Sequence, residues 1–263
     1  MTEASRGYAV ALRRKALPFA GAAGFLLLWE LFCRIYQVRP VLLPPPSLIF
    51  GELAQSPLWF AQQTAYTVGI TLAGFMVAAI LGVLFAVVVT EWKVLDRLLF
   101  PLFVALNSVP KVAIAPLCII WFGTGAEPKI AIAFLIAVFA VVIDTILGLR
   151  SVPPDILDLA HTLRGSRWKV LTRIKLFCAL PHLFAGLKVA MSLALVGAIV
   201  GEFVSSQRGL GYVILSAQGM FDTPRVFAAI AILAVLGVVL IELLDFVERL
   251  ALPWQHITGR ATH

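Results

Sequence analysis

Five ionisable side chains, Lys111, Asp144, Glu202, Glu242 and Asp245, stand inside stretches that are otherwise almost wholly apolar. A charge at membrane depth is expensive, so such residues face a protein interior or an aqueous cavity and are by default candidates for a solute or proton pathway. The five are not equivalent. Asp144 precedes Arg150 by ~9 Å of helix, which places it near an interface. Glu242 and Asp245 share one helical face and suit a structural pairing, either across a dimer or with Arg249, one turn beyond Asp245. Lys111 and Glu202 have no such local partner and are the pathway candidates.

Bond-making chemistry is not indicated. His161, His182, His256 and His263 have no metal-binding spacing, and no serine, histidine and acid cluster is suggested. The phosphate loop Gly-x-x-x-x-Gly-Lys-Ser/Thr is absent, so the chain has no recognisable means of hydrolysing a nucleotide. Cys33, Cys118 and Cys178 are odd in number and far apart, which fits reduced structural thiols rather than a disulfide framework or a metal site. No catalytic residue, metal or cofactor is assigned to this chain.

The elements that position these residues are set by composition. The chain is 61% hydrophobic and 13% charged, against about one quarter charged for a soluble domain. A crossing needs roughly 20 mainly apolar residues. Six stretches approach that length: Leu17 to Tyr36, Tyr66 to Thr90, Leu98 to Phe122, Ile130 to Leu149, Leu183 to Val204 and Val226 to Val247. The expected fold is an all-α membrane protein of about six transmembrane helices in a single domain, 1–263. The basic start at Arg13, Arg14 and Lys15 leads into a retained first helix, because no small-residue cleavage pattern follows. The net charge of +7 orients the chain rather than marking a nucleic-acid binder, because cytoplasmic loops hold an excess of Lys and Arg. With both termini inside, that face carries Arg13, Arg14, Lys93, Arg97, Arg150 and the basic run from Arg164 to Lys175. The outer face keeps Arg34, Arg39, Lys129, Arg208 and Arg225.

Four segments stand out. Pro44, Pro45 and Pro46 cannot continue a helix, and Ser47 is placed to cap a short outer helix from Leu48. Pro101, Pro110 and Pro116 interrupt the third span beside Lys111, which points that segment at the bundle interior. Leu210 to Phe221 reads as a short outer gate helix or an ordinary loop. The internal loop 150–181 is the longest basic stretch. Within it, Asp158 to Leu176 reads as helix, turn, helix with Gly165 and Ser166 at the break and apolar Trp168, Leu171 and Ile174 among Arg167, Lys169, Arg173 and Lys175. Such a loop suits an anionic lipid surface or a cytoplasmic partner.

The run Asp158-Leu159-Ala160-His161-Thr162-Leu163-Arg164-Gly165-Ser166-Arg167-Trp168, with Ile174-Lys175-Leu176 and Ala179-Leu180-Pro181, resembles the signature loop of bacterial binding-protein-dependent ABC importer permeases. It departs from the usual pattern in having Asp158 for a Glu, Leu159 for an Ala, Arg164 at the glycine position and Phe177 for a Pro. Leu43-Pro44-Pro45-Pro46, Val109-Pro110-Lys111 through Pro116, Trp121-Phe122-Gly123 and Gly209-Leu210-Gly211-Tyr212 resemble, in the same order, the nitrate, sulfonate and taurine importer group. The resemblance implies a homodimeric permease in a bacterial inner membrane, two cytoplasmic ATPase subunits that carry ATP and Mg, and an external solute-binding protein. It also implies that Asp158, Ala160, Thr162, Leu163, Arg164, Gly165, Ser166, Arg167, Trp168 and Leu171 form the ATPase-coupling loop. Sulfonates, taurine or nitrate are the expected solutes, with pyrimidines or other vitamin precursors as the alternative. A secondary transporter or channel shares the composition, but no internal repeat is evident.

Overall fold

The computed structural model describes residues 20–163 and 165–253, without the side chains of Lys93 and His161. Every regular element among them is helical: α1 (20–35), α2 (Pro46–Gln55), α3 (Pro57–Glu91), α4 (Lys93–Asn107), a 3₁₀ turn (Lys111–Ile114), α5 (Ala115–Phe122), α6 (Glu127–Arg150), α7 (Pro154–Thr162), α8 (Arg167–Val170), a π turn (Leu171–Lys175), α9 (Leu176–Ser205), α10 (Leu210–Gly219) and α11 (Thr223–Ala251). Four of these stretches are long and apolar enough to cross a bilayer: α3, α6, α11 and the run Arg167–Ser205 that includes α9. The pair α4 and α5 supplies a fifth crossing if taken together. The expected first span is partly represented by α1; its beginning lies outside the described residues.

The chain divides into two compact units. The first contains the described residues up to Phe60 and Val213–Ala231. Here Glu30 of α1 accepts hydrogen bonds from the Ser47 backbone N–H (3.0 Å) and the Ser47 hydroxyl (2.9 Å) while pairing with Arg34. Ser47 is therefore not the cap expected from sequence. The helix begins at Pro46, where the missing N–H would have been unsatisfied anyway, and a carboxylate from another helix caps it from outside. Arg225 pairs with Glu52 at 2.6 Å, and Thr223 donates to the Val41 carbonyl at 2.7 Å.

The second unit contains Ala61–Tyr212 and the described residues from Ile232. Its centre is the antiparallel pair α6 and α9. The two backbones approach closely because α9 presents glycine: a Cβ on Gly197 would fall 2.6 Å from Ala133 Cα, and one on Gly201 2.9 Å from Lys129 Cα. Small residues four apart are the usual means of close helix packing in a bilayer, where apolar burial gives helices little reason to associate. Phe75, Val138, Val141, Met191, Leu240 and Leu244 fill the surrounding core.

One expectation is sharpened here and one is revised. The third span is not one rod: its halves, Val94–Asn107 and Lys111–Phe122, meet at 87°. Pro110 and Pro116 each lack a donor, and Pro110 takes an extended conformation, so the helix stops at Asn107 and restarts through the 3₁₀ turn. The fifth span does not start at Leu183 either, because α8, the π turn and α9 form one continuous stretch from Arg167. The second half of the basic loop is thus the end of a spanning helix.

Candidate functional site

At the Arg150 end of the second unit, the chain leaves α6, turns at Pro153 and forms α7. Thr162 closes that helix by donating its hydroxyl to the Asp158 carbonyl at 2.9 Å. Leu163 N–H donates to Leu159 and Gly165 N–H to Ala160 (2.9 Å), so the turn folds back on its own last carbonyls. A Cβ at Gly165 would meet the Ala160 oxygen at 3.0 Å, which explains a glycine at that point. Ser166 then caps α8 by accepting the Lys169 N–H.

The structure sorts the expected docking residues into base and face. Leu171 is buried with Leu149 and Ala179, and Ala160 is nearly buried, so both anchor the loop from below. Asp158, Thr162, Leu163, Ser166, Arg167 and Trp168 are exposed, with Trp168 at 71% and Leu163 at 74%. Arg164 lies outside the described residues. The base is braced by ion pairs: Lys175 reaches Glu91 at the end of α3 (2.6 Å), and Arg150 reaches Asp96 on α4. Trp168, Arg167 and Leu171 line a hollow of about 360 Å³ shared with Val87, Glu91 and Trp92. Trp92, 57% exposed, was not anticipated from sequence. Its signal was its place in the charged break Glu91-Trp92-Lys93 between two apolar runs. Exposed tryptophan beside arginine on a rigid base is the composition of a protein-binding hot spot.

The two pathway candidates sit differently. Lys111 lies at the bend between α4 and α5, where its ammonium donates to the Asn107 carbonyl (2.8 Å) and side-chain oxygen (2.7 Å) and sits 4.5 Å from the Phe139 ring centre. It closes the C-terminal end of α4, where a cation is favoured. Glu202 is 1% exposed and engaged in the fold. It accepts from the Thr67 hydroxyl at 2.8 Å and from the Gly211 N–H at 2.7 Å. Thr67 Oγ1 also accepts the Leu210 N–H (2.8 Å), and Gln63 accepts the Gly209 N–H (2.7 Å). Three successive N–H groups at the start of α10 are therefore capped by side chains from α3 and α9. Gly209 has a φ of +100°, in the left-handed region that favours glycine, and a Cβ there would collide with the Glu202 carboxyl. The stretch from Leu210 is helical, as the gate-helix alternative expected.

The structure also places the remaining charged candidates. Asp245 pairs with Lys188 of α9 rather than with Arg249, and Glu248 joins the same ammonium at 2.5 Å. The α9–α11 pairing brings these groups together, which a one-turn spacing rule cannot see. Asp144 lies beside Gly186, and Glu242 is exposed.

Residues 74–252 match the family described as binding-protein-dependent transport system inner membrane component. The chain is similar to the riboflavin transport system permease protein of Chloroflexus aurantiacus, 35% identical over 234 residues that cover 88% of this chain and 87% of the relative. It is also similar to the taurine transport system permease protein of Escherichia coli, 30% identical over 254 residues covering 92% and 90%. Among solved structures, the inward-facing MetNI methionine ABC transporter superposes with a TM-score of 0.66 at 14% identity, covering 74% of this chain and 97% of the matched chain. That likeness shows a shared fold.

Proposed function

Because this chain belongs to the binding-protein-dependent transport system inner membrane components, and is the permease subunit of an ABC importer, we propose that the turn between α7 and α8 is where it receives work from a separate ATPase. Family membership removes the secondary-transporter and channel alternatives. The observation that carries the docking assignment is the exposed Leu163, Arg167 and Trp168 face on a base fixed by buried Leu171 and the Lys175–Glu91 pair. Asp158, Thr162 and Ser166 hold that face through local hydrogen bonds, and Gly165 lets the turn close.

Force applied at Trp168 enters a helical stretch of 39 residues without a chain break. That stretch runs past the Gly197 and Gly201 contact with α6 to Glu202. Nucleotide-driven closure of the partner can bias two packings of the bundle, provided the loop binds the partner with different free energy in each. ATP and Mg belong to that partner. The permease acts as a homodimer, in a bacterial inner membrane, with both termini on the cytoplasmic side and a solute-binding protein outside. The Lys and Arg distribution supports that orientation.

The solute is a small molecule delivered by the binding protein. Small organic sulfonates and similar anions are the first assignment, supported by the motif set in the sequence. A vitamin or its precursor is the second, favoured by the similarity to a riboflavin permease. Lys111, at the bend, is the side chain proposed to border the pathway; Glu202 is assigned instead to holding the start of α10.

Co-purification of the chain with its cognate ATPase tests the docking assignment. The intact chain should retain the ATPase, whereas Gly165→Asp and Trp168→Ala should lose it. Retention by both variants at wild-type level would remove the loop as the dock.

A further inference from the structure

At the opposite end of α6 from the docking loop, a polar cavity of about 360 Å³ is lined by Tyr66, Gly125, Lys129, Ser205, Ser206 and Arg208, among others. Lys129 is 3% exposed, held down because Gly201 lets α9 lie directly on it. Its ammonium donates to the Tyr66 hydroxyl (3.1 Å) and the Gly125 carbonyl (2.9 Å). An ammonium has three protons, so one is left over. The Tyr66 oxygen, serving as acceptor, keeps its own proton to donate. Ser205 Oγ is buried with no hydrogen-bond partner in the described residues.

Among the described residues neither Lys129 nor Arg208 forms an ion pair. Two carboxylates lie nearby. Glu202 is within electrostatic reach of Lys129 but has its oxygens on Thr67 and Gly211. Glu127 holds its carboxylate against Gly125, at the edge of the cavity rather than in its lining. Ser206 is occupied with the backbone of Arg208. The cavity thus offers hydrogen-bond donors and positive charge from Lys129, Tyr66, Ser205 and Arg208, and a buried hydroxyl or ammonium proton without a partner is costly.

We infer that this cavity is a binding site for a small oxyanion, a carboxylate or sulfonate held by Lys129, Arg208, Tyr66 and Ser205. This rests on the permease function and deepens it, because it puts an anion-selective site on the permease itself, at the end of the bundle away from the ATPase. The volume admits a small organic acid whole. Arg208, exposed at the rim, would be met first, and the buried Lys129 ammonium and Ser205 hydroxyl would replace the ligand's water.

The test is saturation-transfer NMR on the full chain in phosphatidylcholine nanodiscs, with methanesulfonate, acetate and tetramethylammonium as probes. Both anions should give signal and the cation none. Arg208→Gln and Ser205→Ala should each weaken anion binding at least five-fold without moving the unfolding temperature. Absence of anion signal, equal signal from the cation, or unchanged affinity in both variants would overturn the assignment. Repeating the measurement with phosphatidylglycerol separates two sources of the same chemistry: persistence assigns the site to a soluble anion, and displacement to a lipid headgroup phosphate. ATPase co-purification is expected to survive both variants, so failure here and failure of the docking loop are separate outcomes.

Discussion

Thr67→Val removes one hydroxyl and changes the side-chain shape very little, yet it should release the start of α10. The hydroxyl donates to Glu202 and accepts the Leu210 N–H, both at 2.8 Å, and Thr67 and Leu210 are fully buried. Valine leaves both partners short of a bond. An orphaned buried polar group costs about 1–3 kcal/mol, whereas an average interhelical hydrogen bond in a membrane protein is worth only ~0.6 kcal/mol because the unfolded state finds other partners. The higher range should govern local opening, since opening this turn does not dissolve the bundle that excludes water from it. A local cost of about 2 kcal/mol corresponds to roughly 30-fold faster amide exchange. Hydrogen exchange of the Gly209, Leu210 and Gly211 amides in nanodiscs is the assay, with Thr67→Ser as the control that keeps the hydroxyl. Equal protection of these amides in the Val and Ser variants would refute the capping scheme.

Gly197→Leu should prevent normal packing of α9 on α6, because the obstacle is Ala133 backbone. Gly69→Ala, where no atom lies within 4 Å, should be tolerated and gain up to ~1 kcal/mol of helix stability; thermal unfolding compares the two. Lys188→Met strips two carboxylates of their shared cation. With these groups partly exposed, the loss should be about 1 kcal/mol per pair, and Asp245→Asn in the same chain should restore part of it. Lys175→Met should loosen the base of the docking loop, seen as weaker ATPase retention while solute-independent folding stays intact.

The sequence made the spans legible because a bilayer imposes a length on every crossing, and α3, α6 and α11 contain the uncharged runs that show it. The break at Gly165 and Ser166 was equally readable, since turn and cap chemistry is local. What escaped was non-local. Gln63, Thr67 and Glu202 form one cap across 135 residues of chain between Thr67 and Glu202, and no periodicity marks that pairing. The same holds for Glu30 serving Ser47 and for Lys188 serving Asp245, where a local candidate, Ser47 itself or Arg249, was nearer in sequence. The three prolines of the third span signalled a break but not its 87° angle, which depends on how the Ser108 to Pro110 link is packed.

Site-directed crosslinking tests the central claim most directly. In a chain freed of its three native cysteines, Trp168→Cys should crosslink to the ATPase in membranes, and the yield should change when ATP is added. Ile120→Cys, equally exposed on α5, should not crosslink. An ATPase adduct formed at Ile120 but not at Trp168 would contradict the assignment of the α7–α8 turn as the coupling contact.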